Sequence, residues 1–339
     1  MIFAFTLVMV ASYIGKQFVQ TFSEYEKYDD YALVKKYLLN ENELYGNNKP
    51  KLWIHMDYHS NSRKWDNFMS RKTNNLNQPY IYLTIQSIIN HNNNDFHICI
   101  IDDNSFEKIL PSWDINLDTT SEPLKTKYRN IALLKMLHEY GGIIVPNSFI
   151  CMKPLIPLYN HMKNEKKPFM FENIKYLPTN TNLKPFLPHN YFMGSLKNDK
   201  MIEIMINQLN LHENHHFHNE NCFQSEFELW CLEQCNEYNI RCMDGSLIGI
   251  KNNIGKPILL DHLMGEHFLD LNDKLLYGLY IPACDILSRP KYEYFAILPK
   301  EQLLQSNSVV VKYLKSSMVD SSDKFPLAPP KQSVVTISI

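Results

Sequence analysis

Three groups of side chains in this 339-residue chain have the types and spacing to do chemistry. Asp102 and Asp103 close the apolar run "FHICII". Two carboxylates at the carboxyl end of a buried strand can hold a divalent cation or a ligand, because open α/β sheets bind ligands in the crevice beyond those strand ends. The same Asp-Asp-Asn-Ser stretch is also ordinary turn and N-cap chemistry for a helix starting near Ser105, and the sequence leaves both readings open. The second group is "HENHHFHNENC", with His212, His215, His216, His218 and Cys222. It has enough imidazole for zinc, but it lies in an Asn-rich polar stretch without zinc-finger spacing, and a solvated loop is the plainer reading. The third is Cys231 and Cys235, four apart on a predicted helix beside Trp230. With no basic neighbour in sequence to lower a thiol pKa, they read as core packing. No G-x-S-x-G and no P-loop is present.

These groups need a scaffold, and the composition supplies one. With 45% hydrophobic and 12% aromatic residues the chain can bury a sizeable core. A formal net charge of -2 gives no basic field, so nucleic acid is not an expected partner. Seven scattered Cys and the absence of any Asn-x-Ser/Thr acceptor point to reduced thiols in a cytosol-facing body. The first residues, "MIFAFTLVMVASYIGKQFVQTF", form an apolar run with Lys16 placed to snorkel, and predict an N-terminal hydrophobic anchor helix over 1–22. The expected localisation is therefore membrane-associated, with the membrane as a partner through this segment.

A helical and polar linker is expected over 23–49, followed by one α/β domain over 50–315 and an extended, Pro-containing tail over 316–339. Within the domain, "KLWIH" predicts a buried strand and Pro79 opens a helix with Tyr82, Ile85, Ile88 and Ile89 on one face. Then come the strand ending in Asp102 and Asp103, a helix over 125–139, Gly141-Gly142 and the strand "IIV". Alternation of apolar strands with helices predicts a mostly parallel mixed sheet with helices on both faces. After residue 155, "KPFMFENI" and "NYFMGSL" predict strands, while "KMIEIMINQL" and "FELWCLEQCNEY" predict helices.

Pro50-Lys51-x-x-Ile54-His55, the helix at Pro79, the "IIDD" strand end and the helix running into Tyr140-Gly141-Gly142 together carry a resemblance. Over roughly residues 50–155 the chain resembles the Asp-x-Asp sugar-binding and capsular-polysaccharide-synthesis glycosyltransferases. Most of all it is similar to a branch found in large DNA viruses whose motif reads "VP-x-S". The resemblance implies a GT-A-like nucleotide-diphospho-sugar transferase fold. It also implies a donor site in which an Asp-x-x-Arg falls on Asn130 and Leu133, the metal motif on Pro146, Asn147 and Ser148, and the preceding aromatic on Ile144. Nucleotide contacts are implied after the first strand, at Asp57, His59 and Arg63, which otherwise cap the strand and face water.

The departures decide the functional expectation. A leaving diphosphate is neutralised by Mg²⁺ or Mn²⁺ held on carboxylate oxygens, whereas Pro146, Asn147 and Ser148 offer only neutral oxygens. Loss of one electrostatic donor costs roughly 2.7–4 kcal/mol of transition-state stabilisation, and here several are gone at once. The expectation is a glycosyltransferase-like protein with a degenerate donor site and no cofactor, leaning inactive, with a structural or binding role among protein partners in an assembly such as a virion. The alternative is an active transferase using a nucleotide sugar, with Mn²⁺ or Mg²⁺ or by an unusual metal-independent site, in which Asp102 or Asp103 takes the catalytic place.

Overall fold

The computed structural model describes residues 49–56, 78–174, 186–211 and 220–322. The anchor expected over 1–22, nearly all of the linker, Asp57, His59, Arg63 and the four histidines of 212–218 lie outside the described residues. No helix among the described residues is long and apolar enough to cross a membrane.

Strand β1 (Lys51–His55) lies between β2 (His97–Ile101) and β3 (Gly142–Val145), parallel to both. The continuous apolar sequence of these strands follows from their burial on two faces. Leu52, Ile54, Ile98, Ile100, Ile143 and Val145 enter one hydrophobic core, and Trp53, Cys99, Ile101 and Ile144 enter the other. The sheet continues through β6 (Phe186–Ser195), β5 (Phe169–Ile174) and β7 (Arg241–Met243), in the order β2-β1-β3-β6-β5-β7. Strand β6 is antiparallel to β3 and β5, and β7 is parallel to β5. The result is an α/β architecture with a mostly parallel mixed sheet.

Helix α1 (Pro79–Asn92) belongs to the first core, with Pro at its N-terminal turn. Helix α2 (Ser105–Ile109) and helix α3 (Leu124–Tyr140) belong to the second. After α4 (Ile156–Glu165), which joins the first core through Leu158 and Met162, come α5 (Lys200–Leu211) beside α3 and α6 (Glu220–Asn236) over β6 and β7. A separate two-stranded sheet pairs β4 (Phe149–Cys151) with β8 (Gly278–Tyr280) in antiparallel fashion. Short helices α7 (Leu260–Met264), α8 (Ala283–Ser288), α9 (Glu293–Ile297) and α10 (Lys300–Gln305) lead to α11 (Val309–Ser322), which packs on α1. Because α11 runs to Ser322, residues 316–322 are helical rather than the start of an extended tail; Val310, Val311 and Leu314 anchor the helix in the first core, and Ser317 satisfies its hydroxyl on the Leu314 carbonyl at 2.7 Å.

The Gly-Gly pair that ends α3 is required by backbone geometry. Gly141 has φ 67° and Gly142 has φ 112°, values that disfavour side chains. A Cβ on Gly142 would stand 2.3 Å from the Lys51 carbonyl oxygen and 3.1 Å from Trp53 Nε1. The indole in turn donates to the Gly141 carbonyl at 2.9 Å. Gly142→Ala therefore meets both backbone strain and overpacking, together roughly 2–6 kcal/mol. Gly255 shares a positive φ of 77° but has nothing within 4 Å of its would-be Cβ, so Gly255→Ala isolates the backbone part. Denaturant unfolding of both variants should show the Gly142 loss exceeding the Gly255 loss by at least about 1 kcal/mol.

Candidate functional site at the carboxyl ends of the parallel strands

Strands β1, β2 and β3 all point their carboxyl ends at one edge of the sheet, with β2 and β3 on opposite sides of β1. This is the arrangement in which open α/β sheets form a crevice. His55 ends β1 and stacks on Phe106 of α2, with ring centroids 5.6 Å apart and planes 3° from parallel. Its Nε2 lies 2.9 Å from Asp103 Oδ1. Arg129 of α3 grips the same carboxylate with two hydrogen bonds, Nε to Oδ1 at 2.8 Å and Nη2 to Oδ2 at 2.7 Å. Lys125, one turn earlier on α3, places Nζ 3.8 Å from Oδ2. The four side chains are only 10–13% exposed.

Burial alone would raise the Asp103 pKa. The hydrogen bonds from Arg129 and His55, with their charges, outweigh burial and hold the carboxyl well below the ordinary carboxylate range. Asp103 is thus the anionic centre of a cationic cluster. Asp102 has a different occupation: its Oδ1 accepts from the Ser105 amide at 2.8 Å and the Ser105 hydroxyl at 2.6 Å, while Ser105 Oγ accepts from the Asp102 amide at 3.1 Å. It shapes the turn before α2, whose N-cap residue, Asn104, makes no side-chain cap hydrogen bond.

The positions on which the resemblance places a donor motif are engaged in architecture. Ser148 is buried; its hydroxyl donates to the Ile281 carbonyl at 2.7 Å and its own carbonyl accepts from the Ile281 amide at 3.1 Å. Asn147 donates through Nδ2 to the His55 carbonyl at 3.2 Å, and its carbonyl accepts from the Thr84 hydroxyl at 2.5 Å. The Pro146 carbonyl closes a turn onto the Phe149 amide at 3.1 Å. Ile144 and Leu133 belong to the second core. Asn130 follows Arg129 on α3, partly exposed, and Gly141 and Gly142 sit at the amino end of β3, away from the crevice.

Of the expected site residues, the structure brings Asp103 and Asn147 together around His55, leaves Asp102 beside them in a turn, and directs Leu133 and Ser148 elsewhere. The residues missed at the sequence level are Arg129 and Lys125. Their signal was present: two basic residues four apart share a helix face, and that helix follows the Asp-Asp strand end. A divalent cation at Asp103 would have to displace Arg129 and His55 from its carboxylate, while Asn147 Nδ2 and Ser148 Oγ are engaged with the His55 and Ile281 carbonyls. Among the described residues no group of three His, Cys, Asp or Glu side chains converges as a metal ion needs. Beside Asp103 a solvent-open recess of about 160 Å³ is lined by Asn104, Glu107, Trp113 and Asp114 among others.

Compared with protein-family models and with curated proteins, the chain matches none.

Removing the Asp103 charge leaves Arg129 and Lys125 buried without their anion, so Asp103→Asn should lose about 3–5 kcal/mol at pH 7, measured by denaturant unfolding. The depressed Asp103 pKa has a definite sign. Its contribution is fully present above the unfolded value of about 3.9 and is lost as pH falls below that toward the folded value. The stability gap between the native chain and Asp103→Asn should therefore narrow progressively as pH falls below about 4.

Proposed function

We propose that this chain is a glycosyltransferase-like protein of GT-A type whose donor and metal site is degenerate, and that it serves as a structural or binding component of an assembly rather than as a catalyst. The observation that carries this reading is the engagement of Asp103. It is the carboxylate best placed at the strand ends to take over from a missing Asp-x-Asp, and it is tied by two short hydrogen bonds to Arg129 and a third to His55. Ser148 and Asn147 support the same reading, since their side chains stitch the chain to Ile281 and His55. A group that closes a buried ion pair is poorly suited to release it for each turnover.

One observation favours a second reading. Lys125 and Arg129 bring two cationic groups to the crevice beside the His55 ring, and such groups neutralise a leaving diphosphate in the way a metal does. In that reading the chain is a metal-independent transferase, with Asp103 positioning Arg129. In either reading the proposed attachment is to a membrane through residues 1–22, with the folded body facing the cytosol and with a virion as one setting for the assembly.

Isothermal calorimetry against a panel of nucleotide sugars, with and without Mn²⁺, followed by a donor-hydrolysis assay, separates the two. The degenerate-site reading expects neither heat of binding nor turnover above buffer. Turnover that falls at least about 100-fold in a folded Asp103→Ala or Arg129→Met variant would sink it. The anchor is checked separately by carbonate extraction of membranes from expressing cells: the full-length chain should stay in the pellet, and release into the supernatant counts against residues 1–22 as a membrane anchor.

A further inference from the structure

The amino ends of β5 and β7 carry a feature that the crevice does not use. Strand β3 is parallel to β1, β6 is antiparallel to both β3 and β5, and β7 is parallel to β5, so β5 and β7 run in the same direction as β1. The loops that enter them, from α4 and from α6, therefore lie at the edge of the sheet opposite Asp103. The Arg241 amide donates to the Pro168 carbonyl at 2.8 Å and seats the two loops side by side. Between them opens a solvent-exposed recess of about 290 Å³, lined by Glu165, Lys167, Tyr238, Ile240 and Arg241.

Both loops pass through the left-handed region at a residue other than glycine, Lys166 at φ 53° and Tyr238 at φ 61°. That conformation favours Gly or Asn and disfavours a bulky aromatic. The turn at Tyr238 is firmly held. The Tyr238 amide donates to the Cys235 carbonyl at 3.1 Å, the Asn239 and Ile240 amides donate to the Gln234 carbonyl at 3.0 and 3.3 Å, and Asn239 Nδ2 donates to Gln234 Oε1 at 3.0 Å. On this mount the Tyr238 side chain is left 78% exposed, so it fills no core that would offset the strain. A large aromatic kept in water at a strained position asks for a task outside the fold.

The polar walls of the recess are complementary and only partly used. Arg241 Nη1 donates to Glu165 Oε1 at 2.7 Å, and His161 Nδ1 stands 3.4 Å from the same oxygen. Among the described residues, Arg241 Nε and Nη2, Glu165 Oε2 and Lys167 Nζ hold no hydrogen bond or ion pair. A ring face thus stands beside a guanidinium with spare donors, a carboxylate with a spare acceptor and an ammonium. Donors and acceptors side by side match vicinal hydroxyl groups, and an aromatic face matches the C–H face of a saturated ring. The Glu165 charge beside Arg241 makes the same walls a poor match for phosphate.

We propose that this recess binds a pyranose sugar, with Tyr238 against the C–H face of the ring and Glu165, Arg241 and Lys167 hydrogen-bonded to its hydroxyls. Its volume of about 290 Å³ lies at the small end of ligand pockets and suits a single ring in place of a longer chain. The site is separate from the crevice, and the proposal stands whether or not the donor site there is degenerate.

Saturation-transfer NMR on the full chain, in a detergent without a sugar headgroup, tests it. The probes are methyl glucoside, methyl galactoside, methyl mannoside and N-acetylglucosamine, with inorganic phosphate as the anionic comparison. At least one sugar should receive saturation on its ring C–H protons, and its affinity should fall at least about fivefold in Tyr238→Asn. Asparagine tolerates the left-handed conformation, so Tyr238→Asn should unfold no earlier than the native chain on heating. Lys167→Met, at an exposed position, should weaken binding with the melting temperature unchanged. A nucleotide sugar should not displace the bound sugar. No saturation of any sugar, undiminished binding by both variants, or saturation abolished by phosphate would each overturn the proposal. Displacement by a nucleotide sugar would overturn it too, by placing the bound sugar in the crevice.

Discussion

Strand β1 is paired along both edges and buried on both faces, and the rest of the structure answers to that constraint. Leu52, Trp53 and Ile54 are fully buried, so every backbone polar group of the strand has to find a strand partner and every side chain an apolar one. Pairing with β3 on one side brings Gly142 against the Lys51 carbonyl, which removes any side chain from that position. The turn that delivers β3 into this slot needs positive φ at two consecutive residues, and Trp53 fastens the turn by donating to Gly141. The glycine pair is accounted for by backbone conformation and packing together.

At the other end of the same three strands the constraint is electrostatic. An ionised carboxylate that is nine-tenths removed from solvent persists only if cations and hydrogen bonds compensate it. Arg129, His55 and Lys125 do so for Asp103, and their spacing on β1 and α3 fixes how helix and sheet meet at the crevice. Because an anion so committed is a poor ligand for anything else, the electrostatics that hold α3 in place also argue for the proposed non-catalytic role.

Much of this was legible in the sequence wherever burial wrote a long pattern. The strands around Trp53, Ile100 and Ile144 appear as unbroken apolar runs because both faces are covered, and Pro79 marks the start of α1. The sense of β6 and β5 was not legible, since antiparallel and parallel pairing of short apolar runs leave the same residues buried. Arg129 was passed over because a motif frame placed the functional position at Asn130, one residue along, where the helix turns away by about 100°. Asp102 and Asp103 were adjacent and chemically identical in sequence, and only the fold gives one a turn to shape and the other a charge to neutralise.

The polar side chains of α1 have one more consequence. Ser87 accepts from the Cys151 amide, and Asn92 accepts from the Leu155 amide and donates to the Cys151 sulfur, all in a buried setting, while Thr84 donates to the Asn147 carbonyl at its part-buried edge. The segment from Asn147 to Leu155 therefore borrows hydrogen-bond partners from a helix as well as from β8. Such a segment has no low-energy way to open while α1 stays folded, because opening would strand hydroxyl and amide groups in an apolar core. Helix α1 and the segment after β3 should therefore open as one cooperative unit, so that the exchange of the Cys151 and Leu155 amides would report on the integrity of a helix more than fifty residues earlier in the chain.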